Sequence, residues 1–232
     1  MIQARITQLS ENIARICQKL GRDPNAITLV GVTKYASAAM IKEAIAGGIT
    51  HLGENKVQES IQKYPALKNA QLKFTAHMIG HLQTNKVKQA LQIFDCIQSV
   101  DSVRLAEELD RHAAVLKRFV PILIQVNVSG EQQKFGFSKD EALPAVKAIL
   151  GLGHIQTVGF MTMAPLTEDK DWIRSCFRTL RELRDQVQDR FGGSGRAEMK
   201  YLSMGMSSDY EIALEEGSNM LRIGSTIFRG ET

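Results

Sequence analysis

Short apolar segments alternate with amphipathic helical patterns along the whole of this 232-residue chain, and that alternation leaves it few ways to fold. The predicted strands are Ile27–Lys34, His51–Asn55, Lys73–Ile79, Cys96–Val100, Val120–Val128, Ile155–Met163, Lys200–Gly205 and Met220–Phe228. They are continuously apolar and rich in β-branched residues, the mark of strands buried on both faces. The predicted helices between them are Ser37–Ala46, Lys56–Tyr64, Thr84–Leu91, Ser102–Leu116, Lys139–Leu150, Asp169–Phe191 and Asp209–Glu216. Gly47-Gly48, Gly151 and Gly217 supply helix stops, and Pro65 is expected to end the second helix at Tyr64. Strand–helix alternation demands a parallel sheet, and eight repeats favour a closed (β/α)8 TIM barrel over an open doubly wound sheet. No linker or shift in composition divides the chain, so residues 1–232 read as a single domain.

An additional helix precedes the first strand. Ile2, Ile6, Leu9, Ile13, Ile16 and Leu20 fall at alternating spacings of four and three, an amphipathic pattern. It is expected to stand where the eighth helix is missing, because only Arg229–Thr232 follow the eighth strand. The N-terminus lacks the apolar core of a signal peptide, and no stretch approaches the ~20 residues of a membrane helix. Cys17, Cys96 and Cys176 are widely spaced in apolar contexts, which predicts buried free thiols and a cytoplasmic protein. Gly192-Gly193-Ser194-Gly195 reads as a flexible loop. Arg174, Arg178, Arg181 and Arg184 share a helix face opposite Trp172, Ile173, Cys176, Phe177, Leu180, Leu183 and Val187, and that face is expected to be solvated. The net charge of +4 and isoelectric point of 9.0 are spread over helix faces without interleaved aromatics, which argues against a nucleic-acid partner.

A barrel of this kind keeps its active site at the carboxyl ends of its strands. Lys34 ends the first strand there. A lysine facing a barrel mouth is either a snorkelling surface residue or an amine that attacks an aldehyde to give a Schiff base. After the seventh strand comes Gly205-Met206-Ser207-Ser208-Asp209, and within the eighth Arg222-Ile223-Gly224-Ser225. Small-residue turns at these two strand ends favour phosphate. Ser208-x-x-Glu211 also reads as a capping box, which would explain Ser208 without any ligand. Arg222 inside an apolar strand needs a partner, either a ligand atom or a buried carboxylate such as Glu54. His77 and His81 straddle a strand end and do not make a metal motif, and Asp101 and Asp209 read as helix-start residues. A Schiff-base lysine, two phosphate turns and a nearby arginine together fit an aldehyde cofactor bearing phosphate, pyridoxal 5′-phosphate.

Seven stretches carry a family resemblance: VTKY around Lys34, GENKVQE at Gly53–Glu59, HMIGHLQTNK at His77–Lys86, VNVSGEQQKFGF at Val126–Phe137, GFMTMA at Gly159–Ala164, YLSMGMSSDYEIALEEGS at Tyr201–Ser218 and RIGSTIF at Arg222–Phe228. Over nearly its whole length the chain resembles the pyridoxal phosphate homeostasis protein family, a fold type III barrel like the N-terminal barrel of alanine racemase. The resemblance implies that Lys34 holds the cofactor as a covalent aldimine. It implies that Ser207, Gly224 and Ser225 bind the phosphate with Ser208 beside them, and that Arg222 faces the pyridine nitrogen. Asn55, His81 and Met161 would line the pocket near the ring. Ser225 replaces the family's usual threonine and keeps the hydroxyl. Phe160 replaces a leucine, and Arg229 intervenes before Gly230. An arginine opposite the pyridine nitrogen weakens the ring as an electron sink. Racemisation would also need a second base, which alanine racemases take from another domain. The expectation is therefore a monomeric, non-catalytic protein that binds the cofactor and keeps vitamin B6 and amino-acid pools in balance. Its partners would be the cofactor and cofactor-dependent apo-enzymes. An amino-acid racemase is the alternative.

Overall fold

The computed structural model describes residues 1–192 and 197–229. The strands are β1 (Thr28–Val32), β2 (His51–Glu54), β3 (Thr75–Met78), β4 (Cys96–Val100), β5 (Val120–Gln125), β6 (Ile155–Met161), β7 (Ala197–Ser203) and β8 (Met220–Ile223). They pair in sequence order, all parallel, and β8 pairs back onto β1 through Thr28↔Met220 to Gly31↔Ile223, closing the barrel. The helices are α1 (Ile2–Lys19), α2 (Ala38–Ala46), α3 (Val57–Asn69), α4 (Val87–Ile93), α5 (Val103–Val115), α6 (Lys139–Ile149), α7 (Lys170–Phe191), α8 (Tyr210–Glu215) and the single turn α9 (Ser225–Phe228).

Local chemistry sets the helix starts. Ser37, Ser102 and Asp169 each accept a backbone N–H of the first turn, and Ser138 with Glu141 forms a full capping box. α1 buries Ile2, Ile6, Leu9 and Ile13 and packs against α2, α8 and α9, the place the sequence assigned to it. Arg22 fastens its far end by donating to the carbonyls of Leu214 and Ser218 at 2.6 Å each.

Four expectations are corrected. α3 runs through Pro65 to Asn69, because a proline in the middle of a longer helix costs one hydrogen bond while Tyr64 and Leu67 on either side are buried. β8 ends at Ile223, and residues 225–228 turn into α9 instead of extending the strand. Trp172 is half exposed and does not share the buried face of α7. The arginine face of α7 is not simply solvated. Arg174, Arg178 and Arg181 all reach Glu216, whose side chain is 6% exposed, at 3.3, 3.1 and 3.0 Å. Of the expected Gly192–Gly195 loop, Gly193, Ser194 and Gly195 lie outside the described residues, as do residues 230–232.

Two apolar clusters result. The larger lies between the outer face of the sheet and the helices and includes Leu52, Tyr64, Phe94, Phe160 and Phe177. The smaller fills the barrel interior with Val30, Cys96, Leu123, Val158, Met161 and Met220. His77, Gln98, Ser203 and Arg222 are buried as well and make a hydrogen-bonded chain. Cys17, Cys96 and Cys176 are free and buried, and burial pushes the Cys96 thiol up to about 12, so it stays an unreactive hydrophobe. Among the described residues, no helix is long and apolar enough to cross a membrane.

Candidate functional site

The carboxyl end of β1 is anchored from below. Thr33, fully buried, donates its backbone N–H to Gly53 O, and its hydroxyl lies 3.1 Å from Glu54 Oε2 and 2.8 Å from the Tyr64 hydroxyl. Lys63 on α3 closes the cluster by donating to Thr33 O at 3.0 Å and to Glu54 Oε2 at 3.2 Å. Glu54 is thus paired with Lys63 and Thr33, and the expectation that it would partner Arg222 is corrected. The next residue, Lys34, leaves this fixed strand end for the mouth, its Nζ 5.1 Å from the centre of the Tyr35 ring. Arg229 covers the same ring, with Cζ 4.3 Å from the centroid.

Two turns face Lys34. Gly205 has φ +96°, and a Cβ there would meet Ala213 Cβ at 2.6 Å, so only glycine lets the chain turn this tightly into Met206-Ser207-Ser208. Asp209 Oδ1 then accepts the Met206 N–H at 2.6 Å. The expected capping box is not made: Asp209 rather than Ser208 is the N-cap of α8, and no side chain caps that helix. Ser208 is exposed at the mouth instead. The turn after β8 is joined to this one, since Ser207 Oγ accepts the Thr226 N–H at 3.4 Å. Gly224 lies against β1, where a Cβ would come within 3.3 Å of Val32 Cβ.

Arg222 is buried at the base of these turns. Its Nη1 donates to Ser203 Oγ and its Nη2 to Thr162 O, both at 2.7 Å. Burial lowers its pKa to about 10, opposed by the charge of Asp209, so the guanidinium is still protonated at neutral pH. Asp209 shows the reverse effect, its carboxyl raised by burial against the Met206 N–H and the Arg222 charge.

These elements enclose a cavity of about 290 Å³. Lys34, Ser207, Ser208, Arg222, Gly224 and Ser225 all line it, so six residues singled out from sequence meet in one place. Tyr35, Met40, Phe228 and Arg229 line it too and were not foreseen as site residues. Arg229 follows the single turn α9, and its place in the site comes from its stacking over Tyr35. Three cations line the cavity, and no carboxylate does so among its described residues, which makes it a site for an anion.

Asn55, His81 and Met161 are not among the residues lining this cavity. Met161 is buried in the barrel interior. Asn55 follows β2, packed so close to Gly80 that a Cβ on that glycine would lie 2.3 Å from Asn55 O. His81 bonds Asp101 Oδ2 through Nδ1 at 2.8 Å and stacks on Phe135 with ring centres 3.8 Å apart, beside a separate shallow groove. His77, its partner in the rejected metal motif, turns into the barrel and bonds His51.

An eight-stranded barrel with a lysine at the end of its first strand and hydroxyl-bearing turns after its last two defines a class, the alanine racemase N-terminal type. The family model for the alanine racemase N-terminal domain matches residues 5–231. The pyridoxal phosphate homeostasis protein of Aquifex aeolicus is 38% identical over 224 residues, covering 97% of this chain and 96% of that protein. The structure of PipY from Synechococcus elongatus with pyridoxal phosphate bound superposes with a TM-score of 0.85 at 33% identity, covering 98% of this chain and all of that one. An alanine racemase from Clostridium difficile shares the fold alone, at 14% identity and a TM-score of 0.77, with 56% of its length covered. The chain belongs to the pyridoxal phosphate homeostasis protein family.

Proposed function

We propose that this protein binds pyridoxal 5′-phosphate in the mouth cavity, joined covalently through Lys34 Nζ, and serves to hold and release the cofactor rather than to turn over a substrate. One observation carries the reading: the cavity collects Lys34, Arg222, Arg229 and the hydroxyls of Ser207, Ser208 and Ser225 with no opposing carboxylate among its described residues. A dianionic phosphate matches that lining, and Val32, Ala36, Met40 and Phe228 offer apolar surface for a ring. The homeostasis name of the relatives and the cofactor in the PipY structure agree with it.

When bound, the cofactor supplies an aldehyde electrophile and an electron-accepting ring. Lys34, carried on a strand end fixed by Thr33, Glu54 and Lys63, would hold the cofactor through its amine, the group that an aldehyde electrophile takes up. Ser207 and Ser225 would hold the phosphate with their hydroxyls, and Arg229 would add charge at the opening. Arg222, a donor only, would offer the ring nitrogen no carboxylate, and the ring would be a weak electron sink. Racemisation would require a base on the ring face opposite Lys34. Tyr35 carries the one phenol among the described lining residues, and its ring is covered by Arg229. Release of the cofactor to apo-enzymes fits the exposed rim, where Tyr35 and Ser208 face solvent.

The test is borohydride reduction of the protein after incubation with pyridoxal phosphate, followed by peptide mapping. A visible absorption band and a reduced label on the Lys34 peptide are expected, both lost in Lys34→Ala. A protein that takes up no cofactor overturns the reading. A label on another lysine overturns the assignment of Lys34.

A further inference from the structure

Behind Arg222 the buried polar residues of the barrel form a directed chain. Arg222 on β8 can only donate, so Ser203 Oγ on β7 accepts from it at 2.7 Å. The single hydroxyl proton of Ser203 goes on to Gln98 Oε1 on β4, also at 2.7 Å. That places the Gln98 amide nitrogen toward His77 Nδ1 at 2.9 Å and Met220 Sδ at 3.2 Å. A thioether has no proton to give, so turning the amide over would set Gln98 Oε1 against sulfur lone pairs and leave the Ser203 proton facing an N–H. Gln98 is therefore fixed independently from both ends.

The direction continues across the barrel. His77 Nδ1 accepts from Gln98, so a neutral His77 carries its proton on Nε2 and donates it to His51 Nδ1 on β2 at 2.9 Å. Burial, reinforced by the neighbouring His51, pushes His77 down to about 3, and its other hydrogen-bond neighbour is the uncharged amide of Gln98, so it remains neutral. His51 opens onto a groove at the amino ends of the strands, beside Ser10, Asn25 and Thr28. Along the line from Arg222 Nη1 through Ser203, Gln98 and His77 to His51, each donor thus points away from the mouth, while Arg222 Nη2 is held separately by Thr162 O.

We propose that Ser203, Gln98 and His77 are positioning residues for Arg222, and that the one-way order of their hydrogen bonds, with the His77 proton on Nε2, fixes the guanidinium that faces the cofactor ring. The proposal rests on the reading that pyridoxal phosphate fills the mouth cavity. Ser203 takes Nη1 and Thr162 O takes Nη2, so both terminal nitrogens of the guanidinium are held while the chain is intact. Loss of the acceptor at Ser203 frees Nη1 to swing.

The experiment uses the full chain with 15N-labelled histidine, free and loaded with pyridoxal phosphate, together with the visible spectrum and the dissociation rate of the cofactor. In the free protein His77 is expected in the Nε2–H form, unchanged from about pH 5 to about pH 8, where an ordinary histidine titrates. Loading should shift the His77 signals and leave those of His112, out on α5, in place. Ser203→Ala should move the absorption band and speed cofactor loss about tenfold, the worth of one hydrogen bond to a charged group. Ser203→Thr should restore both. Gln98→Glu should reverse His77 to the Nδ1–H form. His77 found as Nδ1–H in the native protein overturns the proposal, as does a folded Ser203→Ala with native band and native release rate. If Ser203→Ala does not fold, the native His77 form and its response to loading decide. A native protein that takes up no cofactor defeats the binding reading instead, and the His77 form in the free protein still tests the chain.

Discussion

The two sides of the barrel mouth differ in what their strand ends deliver. On the β7–β8–β1 side, glycine-containing turns bring Ser207, Ser208, Gly224 and Ser225 around one cavity with Lys34, Arg222 and Arg229. On the β2–β4 side, the polar groups neutralise one another: Glu54 is taken by Thr33 and Lys63, and His81 by Asp101. The first side is left with three cations lining a hollow that no carboxylate lines among its described residues, Asp209 acting on Arg222 from behind the wall, and the second with satisfied pairs and a shallow groove. Both sides look equally rich in polar residues along the chain. What separates a binding site from a structural surface here is whether the opposite charge is already supplied by the protein.

That contrast can be broken experimentally. The largest effect is expected from removing a phosphate-side hydroxyl. Ser225→Ala should weaken cofactor affinity about tenfold to about a hundredfold, the range for a lost hydrogen bond to a charged acceptor, as read by equilibrium dialysis. Affinity unchanged in Ser225→Ala and in Ser207→Ala would remove the phosphate from this side. A smaller effect, on stability, is expected at Glu216. Burial tends to raise its pKa, but the hydrogen bonds from Arg178 and Arg174 outweigh this and hold it below the usual carboxylate range. A lowered folded value means that the stabilisation is present above the unfolded pKa, near 4.3, and is lost as pH falls through the folded one. Glu216→Gln should cost about 1–2 kcal/mol at neutral pH, less than a fully buried pair because its arginines keep part of their hydration. The cost should fade in urea titrations repeated at increasingly acid pH, and a deficit independent of pH would contradict the ion-pair account. The smallest effect is expected on the opposite side. His81→Ala should change cofactor affinity by no more than about twofold, under ~0.5 kcal/mol. A tenfold loss would mean that the site extends across the mouth to the β3–β4 edge.

Much of the fold was legible because barrel-forming information is local. Apolar runs of strand length, serine and aspartate caps, and glycine stops each declare themselves within a few residues, and all eight strands lie within or close to the segments read from them. The exceptions have a common cause. Pro65 was overruled because burial of Tyr64 and Leu67 outweighs one lost hydrogen bond. Residues 225–228 look like strand because Ile227 and Phe228 are apolar, yet they are buried as the turn α9 beneath α1. The arginines of α7 look solvent-facing because their partner, Glu216, is about forty residues away in sequence. For the site, Lys34 and the two serine turns could be read from strand-end position, whereas Tyr35 and Arg229 could not, since their stacking depends on how the first and last strand ends meet.

By itself, then, the order of residues determined the barrel, its closure and the candidates at its mouth, because periodicity and turn chemistry act over short range. The tertiary structure decided which candidates share a cavity, that Arg222 is held by Ser203 and Thr162 O instead of Glu54, and which way the buried hydrogen bonds run. Those are properties of groups on different strands. Only closing the sheet brings Arg222, Ser203, Gln98, His77 and His51 into line, and only that line, with an arginine that must donate at one end and a thioether that must accept beside Gln98, sets its direction.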